Sequence, residues 1–477
     1  MKKILFINSP RVDSFSVVRE ERFEHKDIGA VYPPLNLLQV AAIFQKDGFK
    51  VGLIDANGQN LSWQEAILKA KNFGPDFIFS RLGFDTLFAD LKFLEKLKEE
   101  ISVPIGVRNT IAADVPKIRD QIIKNQFVDF FLNYEPESIL PDLVLALGQK
   151  KDLKKVAGIT FKQKNEIITT KEAQLVPNID ILPFPAYDLL EDFSCYYTGT
   201  LSAPMALITT SQGCPFFCTF CAYNRHPYRT KSAQRVVAEI EWLVKKFGIK
   251  NFLFFDDLLG LDKNVLIEIC KLLIKKGLRI NWVSCTRANL IDQKILTLMK
   301  KAGCIEMAFG IESGSAKILK RVKKGITKED IKRAAKLCHE VGIYFYAMIV
   351  LGLPGETEET IKETVDFILE IDPFYTQFCF ATPFPNTEIF NYYRKRSYLE
   401  TLDWSKYFPL SEKPIIRTKD LSADDLVRLR NWAYRKIIFR PKYLITKIKP
   451  FDWKWNFMAA RKLVQRILAI LRKKPVR

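Results

Sequence analysis

The stretch GCPFFCTFC, residues 213–221, places three cysteines within eight residues, at Cys214, Cys218 and Cys221. It directly follows an apolar run, MALITT (205–210), which predicts a short buried strand. Cysteines that only fill a core are not expected to cluster at spacings of four and three around a glycine and a proline. Four thiolates would complete a zinc site or an ordinary iron–sulfur cluster. A set of three leaves the fourth position to another ligand.

The strand before the cysteines is the first of six strand-like runs that alternate with helical segments. The other runs are NFLFFDD (251–257), INWVSC (280–285), CIEMAFGIE (304–312), IYFYAMIVLG (343–352) and YTQFCFATPF (375–384). Six βα units are too few for a closed eight-stranded barrel, so residues 205–395 are predicted to form an open, partial (β/α)6 TIM-like barrel. Its active site is expected at the carboxyl ends of the strands.

The first 150 residues show the same alternation of buried strands and amphipathic helices, which predicts a doubly wound, Rossmann-like α/β domain over 1–150. Residues 151–204 contain a predicted hairpin and a proline-punctuated linker. Residues 396–477 are predicted to form a helical C-terminal extension that ends in a basic amphipathic tail.

The composition is that of a folded globular protein, with 48% hydrophobic and 27% charged residues in a chain of 477. The N-terminal MKKILFINSP is interpreted as a first strand because its apolar core is too short for a secretory signal. Apolar runs long enough to span a membrane are not found in the sequence. Nine cysteines without a signal favour reduced thiols and a cytoplasmic location.

Zinc is the main alternative for the cysteine loop, and it would need a fourth ligand, for which His226 is available. A [4Fe–4S] cluster held by three thiolates instead leaves one iron open to a further ligand. An open iron provides a place for chemistry as well as for electron storage.

The CxxxCxxC spacing at the end of the first strand of a partial barrel resembles the radical S-adenosylmethionine (SAM) superfamily. The resemblance implies that Cys214, Cys218 and Cys221 bind a [4Fe–4S] cluster and that SAM occupies the open iron. An electron from the cluster then cleaves the sulfonium to give a 5′-deoxyadenosyl radical. Phe220 matches the aromatic position that lies beside the adenine.

The ends of the next strands carry further candidate SAM-binding residues. Asp256 and Asp257 close the second strand, where the resemblance places groups that bind the SAM amino group, although either could simply cap the following helix. Arg287, just after the third strand, is a candidate for the SAM carboxylate, with a surface ion pair as the alternative. No residue is assigned a catalytic role.

Two more strand ends complete the candidate site. Glu312 and Ser313, in GIESGS (310–315), offer a carboxylate for ribose hydroxyls and small residues that open a helix. Gly352, in LGLPGET (351–357), permits close backbone approach to adenine, although a plain strand-to-helix turn would need the same residue.

The N-terminal half resembles the cobalamin-binding branch of this superfamily, on the segment YPPLNLLQVAAIFQKDGFKVGLIDA (32–56) and on LPFPAYDLL before the cysteine loop. The branch usually has glycine-rich turns after the fourth and fifth strands, where this chain has GVRNT (106–110) and NYEPE (133–137). A D-x-H-x-x-G motif is absent from the sequence, so a lower axial histidine is not expected. Cobalamin is a predicted cofactor, with a degenerate scaffold domain as the alternative.

The net charge of +20 is concentrated in the tail, since residues 435–477 hold fourteen Lys and Arg against one acid, Asp452, a net of +13. An apolar helical face with preceding tryptophans suits an anionic membrane surface at the inner face of the membrane. Packing of this face on the barrel and binding of nucleic acid are the alternatives.

These features predict an enzyme that methylates an unactivated carbon of a lipid-like or tetrapyrrole substrate, with a flavodoxin- or ferredoxin-type reductant. Radical cyclisation or rearrangement without cobalamin, RNA methylthiolation and a catalytically silent iron–sulfur or SAM sensor are the other hypotheses. RNA methylthiolation is disfavoured because the sequence has no cysteine before Cys195 for a second cluster. Cys285 and Cys379 lie near strand ends, so a catalytic thiol at one of these positions is a further hypothesis.

Overall fold

The computed structural model of the chain describes residues 2–20, 23–27, 29–223 and 227–440. His226 and the basic tail beyond residue 440, both singled out in the sequence, lie outside the described residues. The part of the chain that is described contains two β-sheets flanked by helices, in the order that the sequence predicts.

The N-terminal sheet has, within the described residues, seven strands in the order β4-β1-β5-β6-β7-β8-β9. These strands are β1 (Lys3–Asn8), β4 (Lys50–Asp55), β5 (Phe77–Arg81), β6 (Ile105–Arg108), β7 (Phe130–Leu132), β8 (Ile159–Gln163) and β9 (Glu166–Thr169). The first five pair in parallel, as continuous apolar runs predict for strands covered on both faces. The predicted hairpin forms β8 and β9, which extend the same sheet in antiparallel pairing.

Helices cover both faces of this sheet, and its chain order reverses between β1 and β5, which is where ligands bind in open α/β sheets. The helices are α1 (Leu35–Lys46), α2 (Trp63–Phe73), α3 (Leu87–Glu100), α4 (Thr110–Asp114), α5 (Pro116–Ile123) and α6 (Pro136–Gly148). The predicted doubly wound architecture is therefore confirmed.

A second hairpin, β2 (Ser16–Glu20) with β3 (Phe23–Asp27), is inserted between β1 and α1 and was not expected from the sequence. Arg19 of this hairpin forms a two-point ion pair with Asp90, at 2.7 and 3.0 Å, and both side chains are almost fully buried. Glu24 accepts hydrogen bonds from Arg81 and from Asn109, at 2.8 and 2.7 Å. The hairpin is thus bonded to the carboxyl ends of β5 and β6.

The second sheet has, in the described part of the chain, six parallel strands in the order β10-β13-β14-β15-β16-β17. They are β10 (Met205–Ile208), β13 (Asn251–Phe254), β14 (Asn281–Thr286), β15 (Cys304–Glu312), β16 (Tyr344–Leu351) and β17 (Tyr375–Phe380), and a small separate pair is formed by β11 (Ser211–Gln212) and β12 (Arg229–Thr230). Because β10 and β17 stand at the two edges, the sheet is the open, partial barrel that the sequence predicts.

The helices of this half lie between the strands and continue into the C-terminal extension. They are α7 (Ala233–Phe247), α8 (Lys263–Lys275), α9 (Gln293–Lys301), α10 (Ala316–Arg321), α11 (Lys328–Val341), α12 (Glu358–Ile371), α13 (Glu388–Lys395) and α14 (Ala423–Ile438). Among the described residues, we find no helix with the length and apolar character needed to cross a membrane.

The two sheets present their carboxyl edges to each other. Tyr32, which precedes α1, packs on Phe255 just after β13, with ring centroids 5.8 Å apart. Phe84, just after β5, packs on Phe384 beyond the end of β17 at 5.6 Å. The edges at which both architectures are expected to bind ligands therefore adjoin.

The ion pair between Arg19 and Asp90 leads to a stability prediction. Asp90→Ala would leave the buried Arg19 guanidinium without its carboxylate, and breaking such a pair costs about 3–5 kcal/mol. Urea denaturation should show this loss, whereas Glu99→Ala, which removes an exposed partner of Lys96, should cost no more than about 1 kcal/mol. Equal losses in the two variants would contradict the assignment of Arg19 and Asp90 as the anchor of the hairpin.

Candidate functional site

The cysteine loop leaves the carboxyl end of β10 and lies at the edge that faces the N-terminal domain. Cys218 is buried, and Cys214 and Cys221 are partly exposed. The loop begins at Gly213, whose φ of +86° belongs to the left-handed region that favours glycine. The pairing of β11 with β12 draws the two ends of the loop together. The three thiols thus lie on an irregular segment that is fixed at its base.

The two aspartates after β13 hold the start of this loop. Asp256 is fully buried, and one of its carboxylate oxygens accepts hydrogen bonds from the backbone N–H of Thr210 at 2.8 Å and from the hydroxyl of Ser211 at 2.9 Å. Asp257 accepts a hydrogen bond from the N–H of Gly213 at 2.7 Å. Burial raises the pKa of Asp256, and the hydrogen bonds from Ser211 and Thr210 act in the opposite direction. Both predicted residues, Asp256 and Asp257, therefore lie beside the cysteine loop and hold its first residues in place.

Arg287, at the carboxyl end of β14, contacts the cysteine loop through Cys218 and Phe216. One terminal nitrogen is 3.7 Å from the sulfur of Cys218, and the guanidinium carbon lies 3.7 Å from the centroid of the Phe216 ring. The other terminal nitrogen donates to the backbone carbonyl of Lys324. A positive charge at this position stabilises a metal-bound thiolate.

Glu312 ends β15 in a left-handed conformation, with φ of +66°, which is uncommon for a residue other than glycine. Its carboxylate pairs with Lys324 at 2.7 Å, and both side chains are buried. The ammonium of Lys324 also lies 5.8 Å from the centroid of the Phe220 ring. Ser313 is fully buried and shares a hydrogen bond of 3.1 Å with Thr364 of α12. Phe220 and Glu312 are thus connected through a lysine that the sequence analysis did not select.

Gly352, after β16, also has a left-handed φ, of +86°. A side chain at this position would lie 2.6 Å from Ile416 of the C-terminal extension, so the glycine permits close packing of that extension. Its N–H donates to Glu356, which also accepts from the N–H of Leu353 at 3.2 Å. Burial raises the pKa of Glu356 to about 8, so this carboxyl is largely protonated at neutral pH.

The donor set of the loop fits a [4Fe–4S] cluster. Among the described residues, no group of three or more His, Cys, Asp or Glu is arranged to hold a single metal ion. The thiolates of a cluster bind different iron atoms and need not converge on one point. Three cysteines on one loop, with the Cys218 sulfur 3.7 Å from a terminal nitrogen of Arg287, match this requirement.

The two further cysteines that the sequence analysis considered occupy ordinary environments. Burial raises the pKa of Cys379 to about 12, which opposes its use as a thiolate nucleophile. Cys285 is partly exposed, and its sulfur lies 3.8 Å from the backbone carbonyl of Asp256.

The carboxyl edge of the N-terminal sheet offers polar groups at the point where chain order reverses. Ser9 follows β1 and Asp85 lies beyond β5; each is buried and has one side-chain oxygen without a hydrogen-bond partner among the described residues. Burial raises the pKa of Asp85 to about 7. A cavity of about 240 Å³, lined in part by Trp63 and Phe93, adjoins Ser9. These groups can form hydrogen bonds with a polar ligand at the carboxyl edge of this sheet.

The glycine-poor turns of this domain have internal partners. Asn109, in the turn after β6, caps α4 through a hydrogen bond of 2.8 Å from the N–H of Ala112. Glu135, in the turn after β7, forms a buried ion pair with Arg229 of β12, just beyond the cysteine loop. The turn NYEPE (133–137) therefore connects the N-terminal domain to the base of the cysteine loop.

Comparison with known proteins agrees with this arrangement. Residues 208–368 match the Radical SAM superfamily. An uncharacterized methyltransferase of Pyrococcus horikoshii is 29% identical over 88% of this chain and 91% of its own length. The anaerobic magnesium-protoporphyrin IX monomethyl ester cyclase of Cereibacter sphaeroides is 25% identical over 89% of this chain and 72% of its own. Both similarities extend across the two sheets.

Among solved structures, the cobalamin-dependent SAM radical enzyme OxsB, with aqua-cobalamin and SAM bound, has a TM-score of 0.72. The match covers 98% of this chain and 71% of that protein at 18% identity. At this identity, the similarity shows a common fold. It includes the N-terminal sheet as well as the partial barrel.

The buried Glu356 carboxyl predicts a pH dependence of stability. Its pKa is about 8 in the folded chain, against an ordinary value of 4.5, so the folded state retains a proton that the unfolded state releases. The contribution of the protonated Glu356 carboxyl to the free energy of unfolding is fully present below pH 4.5 and is lost as the pH rises through 8. Denaturation of Glu356→Gln should show a flatter decline in unfolding free energy across this range than the wild-type chain.

Glu363→Gln is a matched control for this experiment, because Glu363 is a partly exposed glutamate of α12 that pairs with Lys328. It should leave the pH profile unchanged. A Glu356→Gln profile parallel to that of the wild-type chain would show that Glu356 is ionised in the folded state at neutral pH.

The cysteine loop, the strand ends that hold it and the match over residues 208–368 lead to the same family. Residues 208–368 therefore form a Radical SAM domain, and the two-sheet fold of the chain is similar to that of the cobalamin-dependent SAM radical enzyme OxsB.

Proposed function

We propose that this protein is a cobalamin-dependent radical SAM methyltransferase that acts on an unactivated carbon of a tetrapyrrole or lipid-like substrate. The observation that carries the proposal is the cysteine loop held at a carboxyl edge that adjoins the carboxyl edge of a doubly wound domain. The bound cluster and SAM would supply a 5′-deoxyadenosyl radical, which takes a hydrogen atom from the substrate carbon.

The residues of this chain would bind and orient those groups. Cys214, Cys218 and Cys221 would ligate the cluster, and the Arg287 guanidinium would stabilise the Cys218 thiolate. Asp257 would remain bonded to Gly213 and keep the loop in position for the SAM amino group.

The other strand ends would bind the nucleoside part of SAM. Phe220 would lie beside the adenine, and Glu312 would accept hydrogen bonds from ribose hydroxyls, with Ser313 and Gly352 shaping the adjoining backbone. The position of Phe220 within 5.8 Å of the lysine that pairs with Glu312 supports a shared pocket for these groups.

Cobalamin would be held at the crevice between β1 and β5, where Ser9 and Asp85 have buried oxygens available for hydrogen bonds. When bound there, it would supply the methyl group that is transferred to the substrate carbon. The fold shared with OxsB, whose structure holds aqua-cobalamin, supports this cofactor. The methyltransferase name of the P. horikoshii relative supports methyl transfer.

A second candidate function is radical cyclisation without cobalamin. The observation that favours it is the β2–β3 hairpin, whose Glu24 bonds to Arg81 and Asn109 at strand ends where a corrin ring would need close backbone approach. The similarity to the cyclase of C. sphaeroides, named for a tetrapyrrole substrate, supports both this reaction type and a tetrapyrrole.

The proposed partners follow from the chemistry. A flavodoxin- or ferredoxin-type protein would supply single electrons to the cluster. The basic tail, net +13 over residues 435–477, would bind the anionic inner face of a membrane and bring the enzyme to an amphiphilic substrate.

Cys218→Ala should abolish SAM cleavage because the variant lacks one ligand of the cluster. After anaerobic reconstitution, iron content, the iron–sulfur absorbance and release of 5′-deoxyadenosine should all fall to background. Cys270→Ala, in the buried face of α8, is the matched control and should retain all three. Cluster-dependent release of 5′-deoxyadenosine from Cys218→Ala would contradict the proposed ligand set.

Corrinoid binding separates the two candidate functions. Anaerobic purification with added cobalamin should give a stoichiometric bound corrinoid, visible in the absorbance spectrum, and methylated products with a tetrapyrrole or a lipid extract. Release of 5′-deoxyadenosine with a cyclised product and no bound corrinoid would favour the cyclase hypothesis. Absence of both SAM cleavage and iron–sulfur absorbance would contradict both.

A further inference from the structure

Positive charge is concentrated on two segments of the barrel, one in and after α10 and the other in α13. Residues 1–434 carry a net charge of +7, and residues 316–325 and 388–396 together carry the same +7. The rest of residues 1–434 is therefore neutral in sum. Both segments lie within the described residues, and seven of their cations are exposed. These seven define the basic surface: Lys317, Lys320, Arg321, Lys323, Arg394, Lys395 and Arg396.

Two contacts join the segments into one surface. The ammonium of Lys323, just after α10, pairs with Glu388 at the start of α13 at 2.9 Å. The ring of Tyr392 lies under cations from both segments, with its centroid 4.1 Å from the guanidinium carbon of Arg396 and 6.0 Å from that of Arg321. Glu388 is the one acid in the sequence of the two segments, so the exposed charges of the basic surface sum to +6.

The basic surface is bonded directly to the cysteine loop. Thr219 lies between Cys218 and Cys221, and its backbone N–H donates to the carbonyl of Val322 at 3.0 Å. The carbonyl of Thr219 accepts a hydrogen bond of 3.1 Å from the N–H of Ile389. The first of these partners adjoins two cations of the surface in the chain, and the second adjoins Glu388. A protein seated on the basic surface would therefore be close to the cysteine loop.

The chemistry of the loop decides which anionic partner fits this position. A cluster that cleaves SAM consumes one electron in each cleavage, and that electron has to come from outside the chain. Complexes that transfer electrons between proteins have small interfaces, and complementary charges steer their association. Nucleic acid and anionic membranes are also attracted by positive charge, but contact with the cysteine loop is a requirement for an electron donor alone.

We propose that the basic surface is the docking site of an acidic one-electron donor, a protein of the flavodoxin or ferredoxin type. The inference rests on the proposed function and gives its electron donor a place on the molecule. The donor would give one electron to the cluster and be oxidised by one electron, with no transfer of atoms. The lysines and arginines would attract and orient the donor.

Charge reversal on the basic surface tests the docking site by binding. Lys320→Glu/Lys395→Glu reverses one exposed lysine in each segment, and Lys271→Glu/Lys275→Glu makes the same change in net charge on α8, which packs between α7 and α9. The dissociation constant of a fluorophore-labelled acidic flavodoxin is measured by anisotropy on the reconstituted full chain. At about 10 mM salt, where charges act over about 30 Å, the first variant should bind about tenfold more weakly or worse. The α8 variant should stay within about twofold of the wild-type protein.

The source of electrons provides a second measurement. Flavodoxin with its NADPH-dependent reductase and sodium dithionite are compared as reductants for release of 5′-deoxyadenosine. The rate per unit of subsaturating flavodoxin should fall about tenfold or more in Lys320→Glu/Lys395→Glu, whereas the dithionite-supported rate should stay within about twofold. At about 1 M salt, where charges act over only about 3 Å, the variant and the wild-type protein should have similar flavodoxin-supported rates.

Unchanged flavodoxin binding, or equal weakening in the two double variants, would overturn the proposal. A matching loss with dithionite would also overturn it, because the lysines would then support the cluster loop itself. Weaker binding of RNA or of phosphatidylglycerol vesicles with unchanged flavodoxin binding would assign the surface to another partner. A wild-type chain that releases no 5′-deoxyadenosine with dithionite would contradict the proposed function, and the flavodoxin dissociation constants would still test the docking site.

Discussion

The geometry of the candidate site depends on one buried carboxylate, that of Asp256. A single oxygen of this group accepts hydrogen bonds from the N–H and hydroxyl groups of Thr210 and Ser211. The loop that follows has little regular structure, so its polar backbone groups need partners from elsewhere. By fixing the base of the loop to the end of β13, Asp256 determines where the three cysteines can lie.

The charged groups around the loop each have a partner among the described residues. Arg287 adjoins Cys218, Lys324 pairs with Glu312, and Asp257 accepts from a backbone N–H. Such buried charges are expensive to desolvate, and they are tolerated only when the geometry satisfies them. The charged groups of the site are therefore held in position by one another and by the backbone.

The sequence was sufficient to predict both sheets, because parallel strands covered on two faces are continuous apolar runs and the cysteine spacing marks one strand end. It was insufficient for the β2–β3 hairpin, whose strands SVVRE and FEHKD carry charges typical of an exposed segment. Those charges are buried only because Asp90 and Arg81, distant in sequence, pair with them. Lys324 was not predicted for a similar reason. Lys323 and Lys324 are adjacent lysines, and the sequence alone does not show that the first is exposed and the second buried.

The adjoining carboxyl edges restrict what the reaction can involve. A radical formed at the cysteine loop can act only on a substrate that lies close to that loop. The ion pair between Glu135 and Arg229 connects the N-terminal domain to the same loop. Anything bound at the crevice between β1 and β5 is therefore on the same side of the protein as the radical source. The β2–β3 hairpin is bonded to the carboxyl ends of β5 and β6, at the same edge. Methyl transfer requires the space at these edges to hold a corrinoid together with the substrate, whereas cyclisation requires it to hold the substrate alone.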